Sequence, residues 1–594
     1  MTRILSEESR GRVLGSAKRV AGFFCLTKDA RALLIASAIL MGAWSFVVPI
    51  FDAPDEPSHW QYARYLRHNK KLPEYTAMFQ EANSPPLYYL LVAPFAKHSE
   101  VPPHLVWIDN DGFLSVPSPP RFMQISYSDF GRYWPIRITR LATIFISLFT
   151  VLFCYKGGLE AAGNERTGLL AGALAAFLPQ FTFRGMNVSN DAMVAALGSL
   201  TVYILIRMVK RGTSGRIAIA AGIAMAGAFL SKATALFFPG AFALTVLTER
   251  IPINRRLKLL CLGAGTSLVL AAPWLLDNQL KYGDPLAKGA MSSVVPFLIQ
   301  HKSITSPYFL HLFPRSTAMS LAGVFGWMNV PMPAWIYRVF TGLVLVAAAG
   351  YAVGLIRRQI SWRLTVTLAS IVALNIFVVV DINLMFDQPQ GRYMFPALAA
   401  IAVLGALGLE GVLSRPSFIR RLPIVALLLL NLYVLFAVVL PAYWPEPQMA
   451  TTPAVAALTP GSFSGLSRAK DGDDLTVTGD NPQIVMNTDL PAESYNFLTF
   501  NIRGAPDHVG PTGFAYLKMC GCDPAPDWRI PFKWKCDGTE RKIIIPLYSY
   551  PEWQGRLAEL RLILADPPDS SLMGTRVQIS GAELVSFISD TTGP

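Results

Sequence analysis

Eleven stretches of nearly unbroken apolar residues run through the first three quarters of the chain, at 32–50, 136–155, 167–183, 191–209, 216–230, 233–248, 257–276, 335–356, 363–381, 395–413 and 422–441. Polar links separate them, and about 20 apolar residues in a helix cross the hydrocarbon core of a bilayer. The pattern predicts a polytopic α-helical membrane protein with about eleven spans. Residues 318–330 are apolar but short and interrupted by Gly323 and Gly326, so they read as a re-entrant or surface helix. After Tyr443 the texture changes to short alternating segments at 475–477, 497–502, 514–519, 542–546, 559–564 and 577–579, set between Gly, Pro and Asp. That period-two pattern predicts a C-terminal all-β domain, a sandwich of about eight strands. The expected division is 1–31, a basic N-terminal segment; 32–441, a membrane domain; and 442–594, the β-domain.

Composition agrees with this class: of 594 residues, 52% are hydrophobic and 15% charged, which excludes a soluble enzyme. The net charge of +13 suggests nucleic acid only until its distribution is read. Arg3, Arg10, Arg12, Lys18, Arg19, Lys28 and Arg31 precede the first span, and Lys210-Arg211, Arg255-Arg256, Arg357-Arg358 and Arg420-Arg421 fill short links. This is the positive-inside pattern, which places the N-terminus and those links in the cytoplasm and implies no nucleic-acid partner. The basic N-terminal segment is too long for a typical cleaved signal, so the first span reads as retained. Counting alternations then puts 51–135, the turns at 184–190 and 231–232, 277–334, 383–394 and everything beyond about 442 on the exported face.

Uncommon polar groups gather on that face: Asp55, Glu56, His59, Arg184, Asn187, Asn190, Asp191, Lys232, Asp381, Asp387, Gln390 and Arg392. Few ionisable groups fall near the middle of a span, where an ion-coupled transporter would place them, and no internal repeat is visible. The first exported loop is long and proline-rich, with Trp107, Tyr127 and Trp134 available to stack on sugars or rest at the headgroups. Loops of this length are usually functional. Of six cysteines, Cys520, Cys522 and Cys536 lie in the β-domain, where export favours a bridge from Cys536 to Cys520 or Cys522.

Five short motifs in order carry a resemblance: Ala53-Pro54-Asp55-Glu56-Pro57-Ser58-His59, Ser84-Pro85-Pro86-Leu87-Tyr88-Tyr89-Leu90, Ser189-Asn190-Asp191-Ala192, Ser231-Lys232-Ala233-Thr234 and Gln390-Gly391-Arg392-Tyr393-Met394-Phe395-Pro396. Over roughly residues 30 to 440 the chain resembles a little-characterised family of bacterial polytopic proteins that is similar to the GT-C superfamily of membrane glycosyltransferases. The resemblance implies an enzyme of a bacterial inner membrane, expected to be a monomer. It would take a sugar from a polyprenyl-phosphate carrier and pass it to an envelope glycan or lipid acceptor on the exported side. It also implies that an acidic residue of the first exported loop is the general base, matched here by Asp55 with Glu56 as second choice.

Chemistry read from the residues runs parallel. Attack of a hydroxyl on an anomeric carbon needs a base and stabilisation of a departing phosphate. A single inverting displacement needs one base only. The plainer role for Asp55 is to cap the helix that Glu56-Pro57 begin. His59 would share a helix face with Asp55 and Glu56, orienting the base, contacting sugar or joining the two acids around a divalent metal. Arg392 is the first candidate for the phosphate, with Lys232 and Arg184 as alternatives and Tyr393 in the interfacial aromatic belt. Asn187, Asn190, Asp191 and Gln390 could bind sugar hydroxyls, or Asn190 could cap its helix. A flippase for lipid-linked saccharides and a non-catalytic envelope assembly factor are the competing functions.

Overall fold

The computed structural model describes residues 26–75, 81–97, 134–290, 302–386, 388–412, 422–443, 455–468, 474–495, 497–504, 512–519, 529–533, 538, 540–547, 555–565 and 572–585. The helices in chain order are α1 (Lys28–Val47), α2 (Glu56–Asn69), α3 (Leu87–Val92), α4 (Trp134–Ala162), α5 (Glu165–Ala176), α6 (Pro179–Met186), α7 (Asn190–Arg211) and α8 (Gly215–Ser231). They continue as α9 (Phe238–Leu247), α10 (Ile253–Tyr282), α11 (Phe313–Gly323), α12 (Ala334–Ile356), α13 (Trp362–Met385), α14 (Leu398–Val412), α15 (Leu422–Val434) and α16 (Leu440–Tyr443). A 3₁₀ turn, Gly391–Ala397, leads into α14.

Eight of these runs are long and apolar enough to cross a bilayer: α1, α4, α7, α10, α12, α13, Gly391–Val412 and Leu422–Tyr443. The other three predicted stretches are also helical but irregular. The third is the pair α5 and α6, bent by 65°; the fifth and sixth are the shorter helices Gly215–Ser231 and Ala233–Leu247. Pro179 opens α6 and explains the bend, because proline cannot continue the hydrogen-bond ladder of α5. Asn431 satisfies the freed backbone, its amide donating to the Phe177 carbonyl at 3.1 Å and to Thr182 at 2.8 Å while its carbonyl accepts from Trp44 Nε1 at 2.9 Å. A buried amide with every group paired inside a membrane domain is a structural fastener. Asn431→Leu is expected to cost about 1–3 kcal/mol by orphaning Trp44 and the Phe177 carbonyl, read as a lower unfolding midpoint in detergent.

Apolar side chains such as Ile39, Phe145, Val269, Val344 and Phe377 point outward and stay exposed, as a lipid-facing belt requires. Small residues allow close helix contact inside. Residues 318–330 do not span: α11 is 11 residues long and ends in a hairpin of β1 (Val324–Phe325) and β2 (Val330–Pro331). The hairpin's Trp327 donates to the Phe51 carbonyl just beyond α1, at 3.2 Å.

The β-domain holds more strands than the eight expected. Eleven are described, β3 (Val455–Ala457), β4 (Ser462–Ser464), β5 (Leu466–Arg468), β6 (Leu475–Val477), β7 (Gln483–Pro491), β8 (Phe497–Gly504), β9 (Thr512–Met519), β10 (Arg529–Lys533), β11 (Arg541–Pro546), β12 (Arg556–Ile563) and β13 (Arg576–Val585). They form antiparallel sheets ordered β10-β9-β12-β7-β4 and β11-β8-β13-β6-β5, with β3 added on β13. The strands not singled out in the sequence are the three-residue edge pieces β3, β4 and β5 together with β7 and β10. Cys520, Cys522 and Cys536 lie outside the described residues, as do Asp387, Trp107 and Tyr127.

Candidate active site

The chain leaves α1 at Val48 and turns sharply through Pro49 to Asp55 before entering α2. Arg140 of α4 holds that turn, donating from Nη1 to the carbonyls of Ser45 and Val48 and from Nη2 to that of Pro49, all at 3.0 Å or less. The same guanidinium grips Glu56 through Nε to Oε1 at 2.8 Å and Nη2 to Oε2 at 2.6 Å. Glu56 also accepts from the backbone N–H of Phe51 at 2.9 Å and of Val188 at 3.0 Å. Both side chains are fully buried, so one ion pair locks together the end of α1, the start of α2 and the α6–α7 turn.

Glu56 is therefore not where a second-choice base would have to be. Its lone pairs are taken up by fixed donors and no solvent reaches it. Consecutive residues at a helix start point in different directions, and here Glu56 faces inward while Asp55 faces a more open site.

Asp55 has φ +65°, left-handed backbone that is uncommon outside glycine. Its side chain caps nothing. Instead Oδ2 meets Arg392 Nη2 at 2.6 Å, and the carboxylate keeps 32% of its exposure while Arg392 keeps 4%. Burial alone would push this carboxyl up, but Arg392, His59 and Arg184 more than offset it and hold the group below its ordinary value. A left-handed acid held off its expected cap by an arginine distant in sequence is backbone strain of the kind found at functional sites.

Arg392 reaches Asp55 from the Gly391–Ala397 turn, which α11 presses closely. A Cβ built on Gly391 would lie 2.2 Å from the Leu321 nitrogen, so only glycine fits there. Ser320 accepts the Gly391 N–H at 2.7 Å. Arg392 Nε and Nη1 are buried without a hydrogen-bond partner among the described residues. Among the described residues the nearest second anion is Asp191, 3.7 Å from Nη1. A guanidinium with two buried, unsatisfied donors is costly unless a ligand completes it.

The other predicted cations are spoken for. Asp191 accepts from Arg184 Nε at 3.0 Å and Nη2 at 2.8 Å, and from Lys232 Nζ at 2.5 Å. Arg184 further donates to the Pro54 carbonyl and to Ser189 Oγ, both at 2.9 Å. Arg184, Asp191 and Lys232 thus form the wall beside Asp55. Lys232 and Arg392 both lie over the Tyr393 ring, at 4.8 and 5.2 Å from its centre.

Asn190 does not cap α7; Ser189 does, accepting from the Asp191 N–H at 3.2 Å. Asn190 donates to the Tyr89 hydroxyl at 3.3 Å, while its Oδ1 and both polar atoms of Asn187 are buried without partners among the described residues. Gln390 bonds Gln388 at 2.9 Å and lines the same turn.

His59 packs on the Asp55 side of α2, with Nδ1 2.8 Å from the Tyr89 hydroxyl and 3.7 Å from Glu81 Oε2. Burial is the largest influence on the ring and lowers its pKa below the usual 6.5, although Glu81 and Asp55 pull the other way. Asp55, His59 and Glu81 each offer a ligand atom within 4.8 Å of the other two. Glu81 replaces Glu56 as the second acid of this cluster. Glu81, Tyr89 and Arg140 were not singled out in the sequence; Tyr89 stood inside a quoted motif, but nothing marked Glu81 as near His59.

Residues 130–401 match a family described as "Predicted membrane protein (DUF2142)". No curated protein matches the chain by sequence. Among solved structures, the chain is similar to ArnT from Cupriavidus metallidurans bound to undecaprenyl phosphate, at 14% identity and a TM-score of 0.43, over 70% of this chain and 74% of that one. It is also similar to the arabinosyltransferase EmbB from Mycobacterium smegmatis, at 14% identity and a TM-score of 0.32, over 99% of this chain and 66% of that one. A third is the Archaeoglobus fulgidus oligosaccharyltransferase with a tethered acceptor peptide, at 13% identity and a TM-score of 0.38, over 70% of this chain and 54% of that one.

Proposed function

We propose that the chain is an integral membrane glycosyltransferase of GT-C type that moves a sugar from a polyprenyl-phosphate carrier to an envelope glycan or lipid acceptor on the exported face of a bacterial inner membrane. One observation carries this reading: an ionised Asp55 is joined to an arginine that still has two buried donors to give. A base and a cation with hydrogen-bond donors to offer, side by side, are the two parts the reaction needs.

In the proposed step the acceptor hydroxyl attacks the anomeric carbon, its proton passes to Asp55, and the carbon–oxygen bond to the carrier breaks with both electrons leaving on the phosphate. Arg392 offers Nε and Nη1 to that phosphate. Sharing the guanidinium with a second anion weakens its hold on Asp55, which raises the basicity of the carboxylate when donor is bound. The Arg184, Asp191 and Lys232 wall keeps Asp55 near cations without taking its oxygen, and Asn187 and Asn190 bring unsatisfied amide groups for sugar hydroxyls.

Two carboxylates and an imidazole also suit a divalent metal, with Asp55, His59 and Glu81 as its holders. Such an ion supplies positive charge for the departing phosphate. Chelation is expected to lower transfer, magnesium or manganese to restore it, and Glu81→Gln to raise the metal concentration needed for half-activity. A chelator-treated enzyme at full rate would remove the metal from the proposal and leave Asp55 and Arg392 standing.

The pH dependence follows from the two shifts. Asp55 lies below its ordinary value and stays ionised at any pH near neutrality. His59 lies below 6.5 and is neutral at pH 7. Transfer is therefore expected to fall on acidification with a midpoint below the 6.5 of a free imidazole, as His59 gains a proton beside Asp55. A midpoint at or above 6.5 would contradict this, and sugar transfer by the purified protein across pH 5 to 8 decides it (about three pH units, spanning the histidine range).

A further inference from the structure

We propose that the cavity between the C-terminal end of α2 and α3 binds the phosphate-bearing headgroup of a lipid of the exported leaflet, separate from the donor at Arg392. The cavity has a volume of about 730 Å³ and is lined by Leu66, Arg67, Lys70, Lys71, Leu72 and Leu90. Its size suits a lipid headgroup with the start of its chains. Three of these residues are cations, the others are apolar, and no acid is among the described lining residues. That combination fits an anionic amphiphile better than a sugar or a protein segment.

Three further observations bear on the occupant. Leu90, Leu91 and Phe95 continue the apolar wall of the cavity outward and are 53%, 48% and 43% exposed, so α3 offers an apolar face at the membrane surface. Arg67 donates to the Pro94 carbonyl, which ties the basic end of α2 to the segment after α3 and holds the two walls together. Cations are depleted from exported loops by the positive-inside rule, so Arg67, Lys70 and Lys71 are not explained by topology. A helix C-terminus attracts cations, but that effect needs neither an open cavity nor an apolar wall.

The rise of α2 separates this cavity from Asp55 by roughly 18 Å, twelve residues at about 1.5 Å each. A lipid seated there is therefore not the donor in the act of transfer. It is placed to fix α2, and with it Asp55, against the leaflet. The inference rests on the proposed exported placement of α2.

The test uses purified full-length protein and native mass spectrometry after exchange into detergent containing phosphatidylglycerol or phosphatidylcholine. Wild type is expected to retain phosphatidylglycerol preferentially. Arg67→Gln/Lys70→Gln/Lys71→Gln should weaken that retention at least about tenfold and Leu90→Asp should weaken it too, with phosphatidylcholine unaffected by the triple substitution. Equal retention of phosphatidylglycerol by wild type and the triple variant would overturn the proposal. Displacement of the lipid by millimolar inorganic phosphate would also overturn it, making the site one for the free anion. Retention is read independently of transfer, so a failure here leaves the Asp55 reading intact, and an inactive glycosyltransferase assay leaves this one intact.

Discussion

Asp55→Asn is expected to lower sugar transfer from a polyprenyl-phosphate donor by roughly 10²- to 10⁴-fold, the range for removal of a general base. The loss should fall on kcat and not on KM, because asparagine leaves Arg392 in place and relieves it of a competing anion. Arg392→Ala should behave differently: it removes both the partner of Asp55 and the buried donors offered to phosphate, so KM should rise together with the fall in kcat. The measurement is steady-state transfer by purified wild type and the two variants, with donor binding followed separately. Unchanged transfer by Asp55→Asn would end the assignment of Asp55 as the base, whereas no transfer by the wild-type protein would favour a non-catalytic assembly factor. Accessibility labelling that found position 55 on the cytosolic side would end it as well.

Arg140→Ala should do more damage to the fold than any change at Asp55. Removing one member of a fully buried ion pair leaves the other charge unpaired, at a cost of about 3–5 kcal/mol. Here it also strips partners from the carbonyls of Ser45, Val48 and Pro49. The expected result is a large drop in the unfolding midpoint in detergent together with loss of transfer. Glu56→Gln is the informative companion, since glutamine keeps the shape and one acceptor oxygen, enough for either Phe51 or Val188 but not both, while losing the charge. If Glu56 positions Asp55 and takes no proton itself, Glu56→Gln should retain measurable transfer with the wild-type pH profile. A shifted profile, or a complete loss with stability preserved, would return Glu56 to the chemistry.

The paired acids Asp55-Glu56 look equivalent in the sequence, and the structure separates them completely. One is sealed with Arg140 and the other is strained at φ +65° and turned toward Arg392. No spacing rule anticipates this, because Arg140 lies 84 residues after Glu56 and reads as one more basic residue near a span end. The same holds for Arg184 and Lys232, which looked like free phosphate ligands and are joined on Asp191. Glu81 was passed over for the opposite reason, since it stands in a loop without a pattern and gains meaning only from its 3.7 Å approach to His59.

Apolar run lengths, the bias of basic residues and the switch from long runs to alternation were enough to settle the class of this protein, because solvation in lipid and pairing in a sheet each impose a period that a chain must carry residue by residue. The stretches that fell short of a full span were also visible, although the 65° bend between α5 and α6 needed the neighbouring Asn431 to be understood. Which acid meets which cation was decided only by tertiary structure. Lys232 and Asp191 are 41 residues apart, Arg140 and Glu56 84, and Arg392 and Asp55 337; helix ends packing together bring them into contact, and ionic pairing depends on distance in space, about which local sequence carries no record.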